Sequence, residues 1–258
     1  MSENILLSIE APLATITLNR PDKLNALSPE MLIALESAFG EIEARREVYA
    51  VIISGAGERA FCVGADIKAW GALEPLDMWR QWIRDGHRVF DRLARLRQPT
   101  IAALNGFTLG GGLELALACD MRIAAEGVQL GQPEVNIGTI PGWGGTQRLP
   151  QIIGAGRAKQ MIFSGARIDA ATAERWGLVN EVVPSGQLLN RARELAAQIA
   201  ANAPLSVQFA KQAIDGGLGA ATGATLEALA GALAAMTEDG REGVASFQEK
   251  RSPTFKGR

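Results

Sequence analysis

The chain has 258 residues, of which 47% are hydrophobic and 21% charged, enough for one large core or two modest ones. Its formal net charge of −2 provides no global attraction to nucleic acid or to anionic membranes. The two cysteines, Cys62 and Cys119, form no CxxC pair, so a zinc or dithiol site has no support, and a reduced cytoplasmic chain is the simplest expectation.

The N-terminal MSENILLSIE lacks the basic segment and apolar run of a signal peptide. No stretch approaches the roughly 18 apolar residues of a membrane helix. Two β-forming runs follow, Ile5–Ile9 and Leu13–Asn19, joined at Ala11-Pro12, and read as a hairpin. Ser28-Pro29-Glu30 opens a helix with Ser as N-cap and Pro at the first helical position. Leu32, Leu35, Phe39 and Ile42 continue it at helical spacing. Ala50–Ser54 is a short apolar run ending at a glycine, hence a buried strand.

The segment AFCVGADIK, 60–68, runs from a strand into a turn at Gly64-Ala65-Asp66. A small residue at 65 leaves its N–H accessible, although an ordinary turn explains the pattern equally well. A long helix is expected from about Leu76 to Leu96. The single histidine, His87, lies in this helix and reads as a structural or surface residue, which weakens any Ser-His-Asp or His-metal mechanism. Trp70, Met78, Trp82 and Trp143 are candidates for a substrate pocket or for the core.

Thr100–Leu104 reads as the next buried strand, with a turn at Asn105-Gly106. Gly110-Gly111-Gly112 then leads into a helical run, Leu113–Cys119. Glycine lets a ligand approach the backbone, and a helix N-terminus offers unpaired N–H groups, so this is a candidate anion site for a phosphate or an oxyanion. A tight turn is the competing explanation. Glu114 raises the interest: an ionised carboxylate among Leu113, Leu115, Ala116 and Leu117 is costly unless it is paired or its pKa rises. Such a group suits general acid–base work, unless it points to solvent.

Asp120–Ala124 and Val128–Leu130 read as short strands. Glu134 sits in LGQPEVNIGTIPGWGGTQRLP, a glycine- and proline-rich loop, where most acidic residues are simply solvated. Alternation of strand, loop and helix to about residue 185 predicts an α/β core. Beyond Pro184 alanine dominates, and helices are expected at 187–201, 204–215, 222–238 and 241–251. They could cap the same subunit or associate with another.

Taken together, LNRPDKLNALS (18–28), FCVGADIK (61–68), NGFTLGGGLELALACD (105–120), QPEVNIGTIPGWGGTQRLP (132–150) and the tail FQEKRSPTFKGR (247–258) resemble the crotonase (enoyl-CoA hydratase/isomerase) superfamily over essentially the whole chain. The resemblance implies a spiral of ββα units over residues 1–195 and a helical trimerisation segment over 196–258. It also implies a homotrimer, commonly paired into a hexamer, acting on an acyl-CoA thioester without a metal or other cofactor, and with no nucleic-acid or membrane partner. By the same resemblance, Ala65 and Gly111 supply N–H groups to the thioester oxygen, and Glu114 and Glu134 are the acidic pair. Asp66, Ile67 and Lys68 border the CoA with Ala65. Gly142 lies beside the attacking water and the acyl group, with Trp143 next to it. Phe247 and Lys250 reach a neighbouring subunit's CoA. Hydration of a 2-enoyl-CoA is the expected activity; double-bond isomerisation is the alternative, and a non-catalytic CoA-binding protein a more distant one.

Overall fold

A computed structural model describes residues 3–71, 73–216 and 220–258; the side chains of 70, 75 and 220–222 lie outside the described set. The opening hairpin forms as expected, β1 (Ile5–Glu10) pairing antiparallel with β2 (Leu13–Leu18). Helix α1 (Pro29–Ala44) is capped by Ser28, whose Oγ accepts from the Met31 N–H, and it buries Met31, Leu35, Phe39 and Ile42. These residues fall three or four apart, the stripe an amphipathic helix turns to its core.

From β3 (Ala50–Gly55) onward the chain winds as a spiral. The next strands are β4 (Ala60–Cys62), β5 (Thr100–Leu104), β6 (Phe107–Leu109), β7 (Met121–Ala125) and β8 (Gln129–Gly131). In each consecutive pair the first strand joins a large sheet and the second a small one. Strands β9 (Arg167–Asp169) and β10 (Glu181–Val183) complete them. The large sheet has the order β1-β2-β3-β5-β7-β10, the small one β4-β6-β8-β9. The large sheet is parallel from β2 to β10. Strand β5 is buried throughout and β3 up to its last residue, which explains their uninterrupted apolar sequences.

Helices fill the turns of the spiral. Short helices α2 (Ile67–Trp70) and α3 (Pro75–Asp77) precede a π-helical stretch, Met78–Ile83, which runs into α4 (Arg84–Ala94). The single helix expected over 76–96 is therefore interrupted by a widened turn. Helix α5 (Gly111–Leu117) follows β6. Helices α6 (Gly145–Ile153), α7 (Ala155–Ser164) and α8 (Ala170–Trp176) follow β8.

Beyond β10 the chain is helical: α9 (Leu188–Ala200), α10 (Pro204–Asp215), α11 (Ala220–Met236) and α12 (Glu238–Glu249). Helix α9 buries Leu188, Ala192 and Ala196 against the large sheet. Among the described residues no helix is long and apolar enough to cross a membrane.

Candidate active site

The spiral brings the ends of several strands to one cavity of about 250 Å³. Seven of the residues singled out from the sequence line it: Ala65, Ile67, Gly111, Glu114, Glu134, Gly142 and Trp143. Met78 and Trp82 line it too, whereas the side chain of Trp70 lies outside the described residues. Asp66, Lys68, Phe247 and Lys250 are not part of this lining, and neither is His87, which is half-buried on α4.

Glu114 sits in the first turn of α5, a helix buried along its whole length, and is only 2% exposed. Its Oε1 accepts hydrogen bonds from the backbone N–H groups of Trp143 at 2.7 Å and Gly145 at 2.8 Å. Burial pushes the carboxyl above its ordinary pKa, while these N–H groups and the Arg148 guanidinium pull against that rise. Arg148 also donates to the Trp143 carbonyl at 3.1 Å and pairs with Asp91 on α4, bracing the turn that feeds Glu114.

Glu134 begins a 3₁₀ turn, Glu134–Ile137, directly after β8 and Pro133. It is only half-buried as a residue, yet desolvation raises its pKa to about 7, and the Glu114 charge adds to the rise. Oriented with its NH₂ toward the carboxylate, the fully buried Gln132 amide donates to Glu134 Oε1 at 2.8 Å and Oε2 at 3.1 Å.

Ala65 and Gly111 contribute backbone rather than side chains. Ala65 forms a parallel bridge with Leu27: the Leu27 N–H donates to the Gly64 carbonyl, and the Asp66 N–H donates to the Leu27 carbonyl, both at 2.8 Å. In such a bridge the N–H of the central residue points away from its partner. Gly111 is the first residue of α5, where an N–H has no partner within the helix. No hydrogen-bond acceptor is found for either N–H among the described residues. The two donors border the cavity and can receive an oxygen that carries negative charge.

Asp66 caps α2, accepting from the Lys68 N–H at 3.1 Å, and its carboxylate pairs with Arg20 at 2.7 Å. That hydrogen bond from Arg20 is the main reason its pKa lies below the ordinary carboxylate value. The 18–28 segment therefore supports the 64–68 loop from behind. Phe247, on α12, is 85% exposed, and Lys250 follows it in a left-handed conformation with φ of 55°. Among the described residues no group of three or more His, Cys, Asp or Glu side chains is arranged to hold a metal ion.

Sequence reasoning missed Gln132 and Arg148. The only available signal was their place inside the QPEVNIGTIPGWGGTQRLP segment, because a glutamine beside an acid and an arginine in a helix are both ordinary surface residues.

The family model described as enoyl-CoA hydratase/isomerase matches residues 8–258. The chain is 45% identical over 250 residues to the short-chain-enoyl-CoA hydratase of Clostridium acetobutylicum, covering 96% of this chain and 95% of that one. It is 40% identical over 255 residues to the crotonyl-CoA hydratase of Syntrophomonas wolfei, covering 98% of each. The crystal structure of an enoyl-CoA hydratase from Bacillus anthracis superposes with a TM-score of 0.95 at 42% identity, over 99% of this chain and 100% of that one. The spiral, the sequence motifs and these likenesses agree: the chain belongs to the enoyl-CoA hydratase/isomerase family.

Proposed function

We propose that the protein is an enoyl-CoA hydratase that adds water across the double bond of a 2-enoyl-CoA to give a 3-hydroxyacyl-CoA. The observation that carries this reading is that Glu114 and Glu134 share one cavity with the unpartnered N–H groups of Ala65 and Gly111. The thioester oxygen binds those N–H groups, which draws electron density from C3. Glu114 takes a proton from water as the water oxygen bonds to C3. The C2–C3 π electrons move toward the thioester, and the transient enolate charge rests on the oxygen held by Ala65 and Gly111. Glu134, protonated up to about pH 7, delivers its proton to C2. No cofactor enters these steps; CoA is part of the substrate.

In this reading Ala65, Asp66, Ile67 and Lys68 border the CoA, and Gly142 and Trp143 flank the acyl group. Residues 1–195 carry the site. Residues 196–258 drive assembly into a homotrimer, and trimers pair into a hexamer in the cytoplasm. Exposed Leu229, Leu233, Met236 and Phe247 on α11 and α12 support an assembly role. Phe247 and Lys250 then serve the CoA of a neighbouring subunit.

The test is hydration of crotonyl-CoA by Glu114→Gln and Glu134→Gln. Each is expected to lose about 10²–10⁴ in kcat, and near-wild-type turnover in either would sink the mechanism. Isomerisation is the second reading, because one carboxyl titrating near neutrality, as Glu134 does, can both remove and return a proton. Conversion of a 3-enoyl-CoA that survives Glu114→Gln but not Glu134→Gln would favour it.

A further inference from the structure

One buried side chain in the cavity wall is admitted by glycines on two helices. Trp143 is 2% exposed. The benzene edge of its indole lies on Gly111 of α5, where a Cβ would stand 2.7 Å from Cζ3 and 2.8 Å from Cε3. The pyrrole edge lies on Gly86 of α4, where a Cβ would overlap Nε1. Trp82 and Phe90 cover the ring with centroid distances of 5.1 and 5.2 Å, and the indole N–H donates to the Trp82 carbonyl at 3.2 Å. Within the cavity, Met78, Trp82 and Ile83 extend the same apolar wall.

We infer that the Trp143 indole is the stop for the acyl chain, a specificity-determining side chain that restricts this enzyme to short 2-enoyl groups. The inference rests on the hydratase reading for the placement of the substrate. With the thioester oxygen on the Gly111 N–H and C3 near Glu114, the carbons beyond C3 run toward a ring already packed on the Gly111 Cα. That ring cannot swing aside. Two helix backbones flank it, two aromatic rings cover it, and its only polar atom is bonded. The backbone of Trp143 has a separate task, since its N–H holds Glu114 Oε1. Shortening the side chain therefore opens the wall while keeping that hydrogen bond.

The experiment is a chain-length series on the full-length protein. The kcat/KM for trans-2-enoyl-CoAs of four, six, eight and ten carbons is measured for wild type, Trp143→Phe and Trp143→Ala. A methylene that a pocket cannot hold costs about 10–200-fold, so the wild-type profile is expected to fall steeply beyond the length the wall admits. Trp143→Ala is expected to raise the eight- to four-carbon ratio by at least about tenfold, with Trp143→Phe between. A flat wild-type profile, or an unchanged ratio in Trp143→Ala, overturns the inference.

Binding of saturated acyl-CoAs of the same lengths to wild type tests the wall without any variant and without turnover. Affinity that stops rising at short length supports it; affinity that climbs through ten carbons overturns it. Absence of hydration across the whole enoyl series would instead strike the hydratase reading, and the binding series would still decide the wall.

Discussion

Gln132 and Glu134, two residues apart on either side of Pro133, face each other as a paired donor and acceptor, the amide NH₂ reaching both carboxylate oxygens. Two donors on a carboxylate favour its ionised form, so this contact opposes the rise that burial imposes. In Gln132→Leu the donors are gone, so the Glu134 pKa is expected to rise relative to wild type. The alkaline limb of hydration then moves to higher pH, and kcat drops because the acid is weaker. A limb that stays in place in pH profiles of the variant and wild type would show that the contact does not tune the acid.

In the proposed mechanism the carboxyl pair works with one proton between its members, held by Glu134 before hydration and by Glu114 after it. As pH rises through about 7, the proton on Glu134 is lost and kcat/KM for hydration is expected to fall. The equilibrium constant for adding water to a double bond involves no net proton, so kcat/KM for dehydration of the 3-hydroxyacyl-CoA must fall through the same range. Measuring both directions from about pH 5 to 9 checks this. A limb that rises through neutrality in either direction contradicts the assignment.

Gly86 is expected to tolerate no side chain. Gly86→Ala places a methyl group on the Trp143 indole, which has no free direction to move. Overpacking of this kind costs about 1–3 kcal/mol, measurable as a lower urea midpoint, and hydration falls with it because the Trp143 backbone holds Glu114. In a double-mutant cycle, Trp143→Ala should relieve part of the Gly86→Ala penalty. Strict additivity would show that the two do not meet.

Lys211 anchors α10. Its ammonium donates to Asp120 Oδ2 at 2.8 Å and to the Gln98 carbonyl at 3.3 Å, and its side chain is 8% exposed. Lys211→Met removes charged hydrogen bonds that contribute about 1.5–3 kcal/mol. Chemical denaturation should register that loss, with crotonyl-CoA turnover at low denaturant affected far less.

Much of this architecture is legible in the sequence, for identifiable reasons. Strands β3 and β5 are buried along nearly all their length, so their apolar runs stand out. Helix α10 declares itself through Pro204 at its first position. Of the small sheet, the sequence marks β4 and β8 by their apolar residues but not β6 and β9, three-residue strands too short to show alternation. Glu114 is conspicuous because an acid in a fully apolar helix demands partners. Glu134 is not, because its desolvation comes from neighbours on other turns of the spiral. The π-helical turn at Met78–Ile83 leaves no mark either; nothing in MWRQWI separates a five-residue closure from a four-residue one.

The Leu27–Ala65 bridge bears on the order of assembly. The free Ala65 N–H is not a local property of the GAD turn, because it depends on a partner segment nearly forty residues upstream. Until residues 24–27 are docked against residues 63–66, the Gly64 carbonyl and the Asp66 N–H lack their Leu27 partners, and nothing fixes which way the intervening peptide faces. Competence of the site therefore depends on long-range closure of the N-terminal segment, not on the local turn alone. A chain can hold its sheets and both glutamates and still be unable to polarise a substrate.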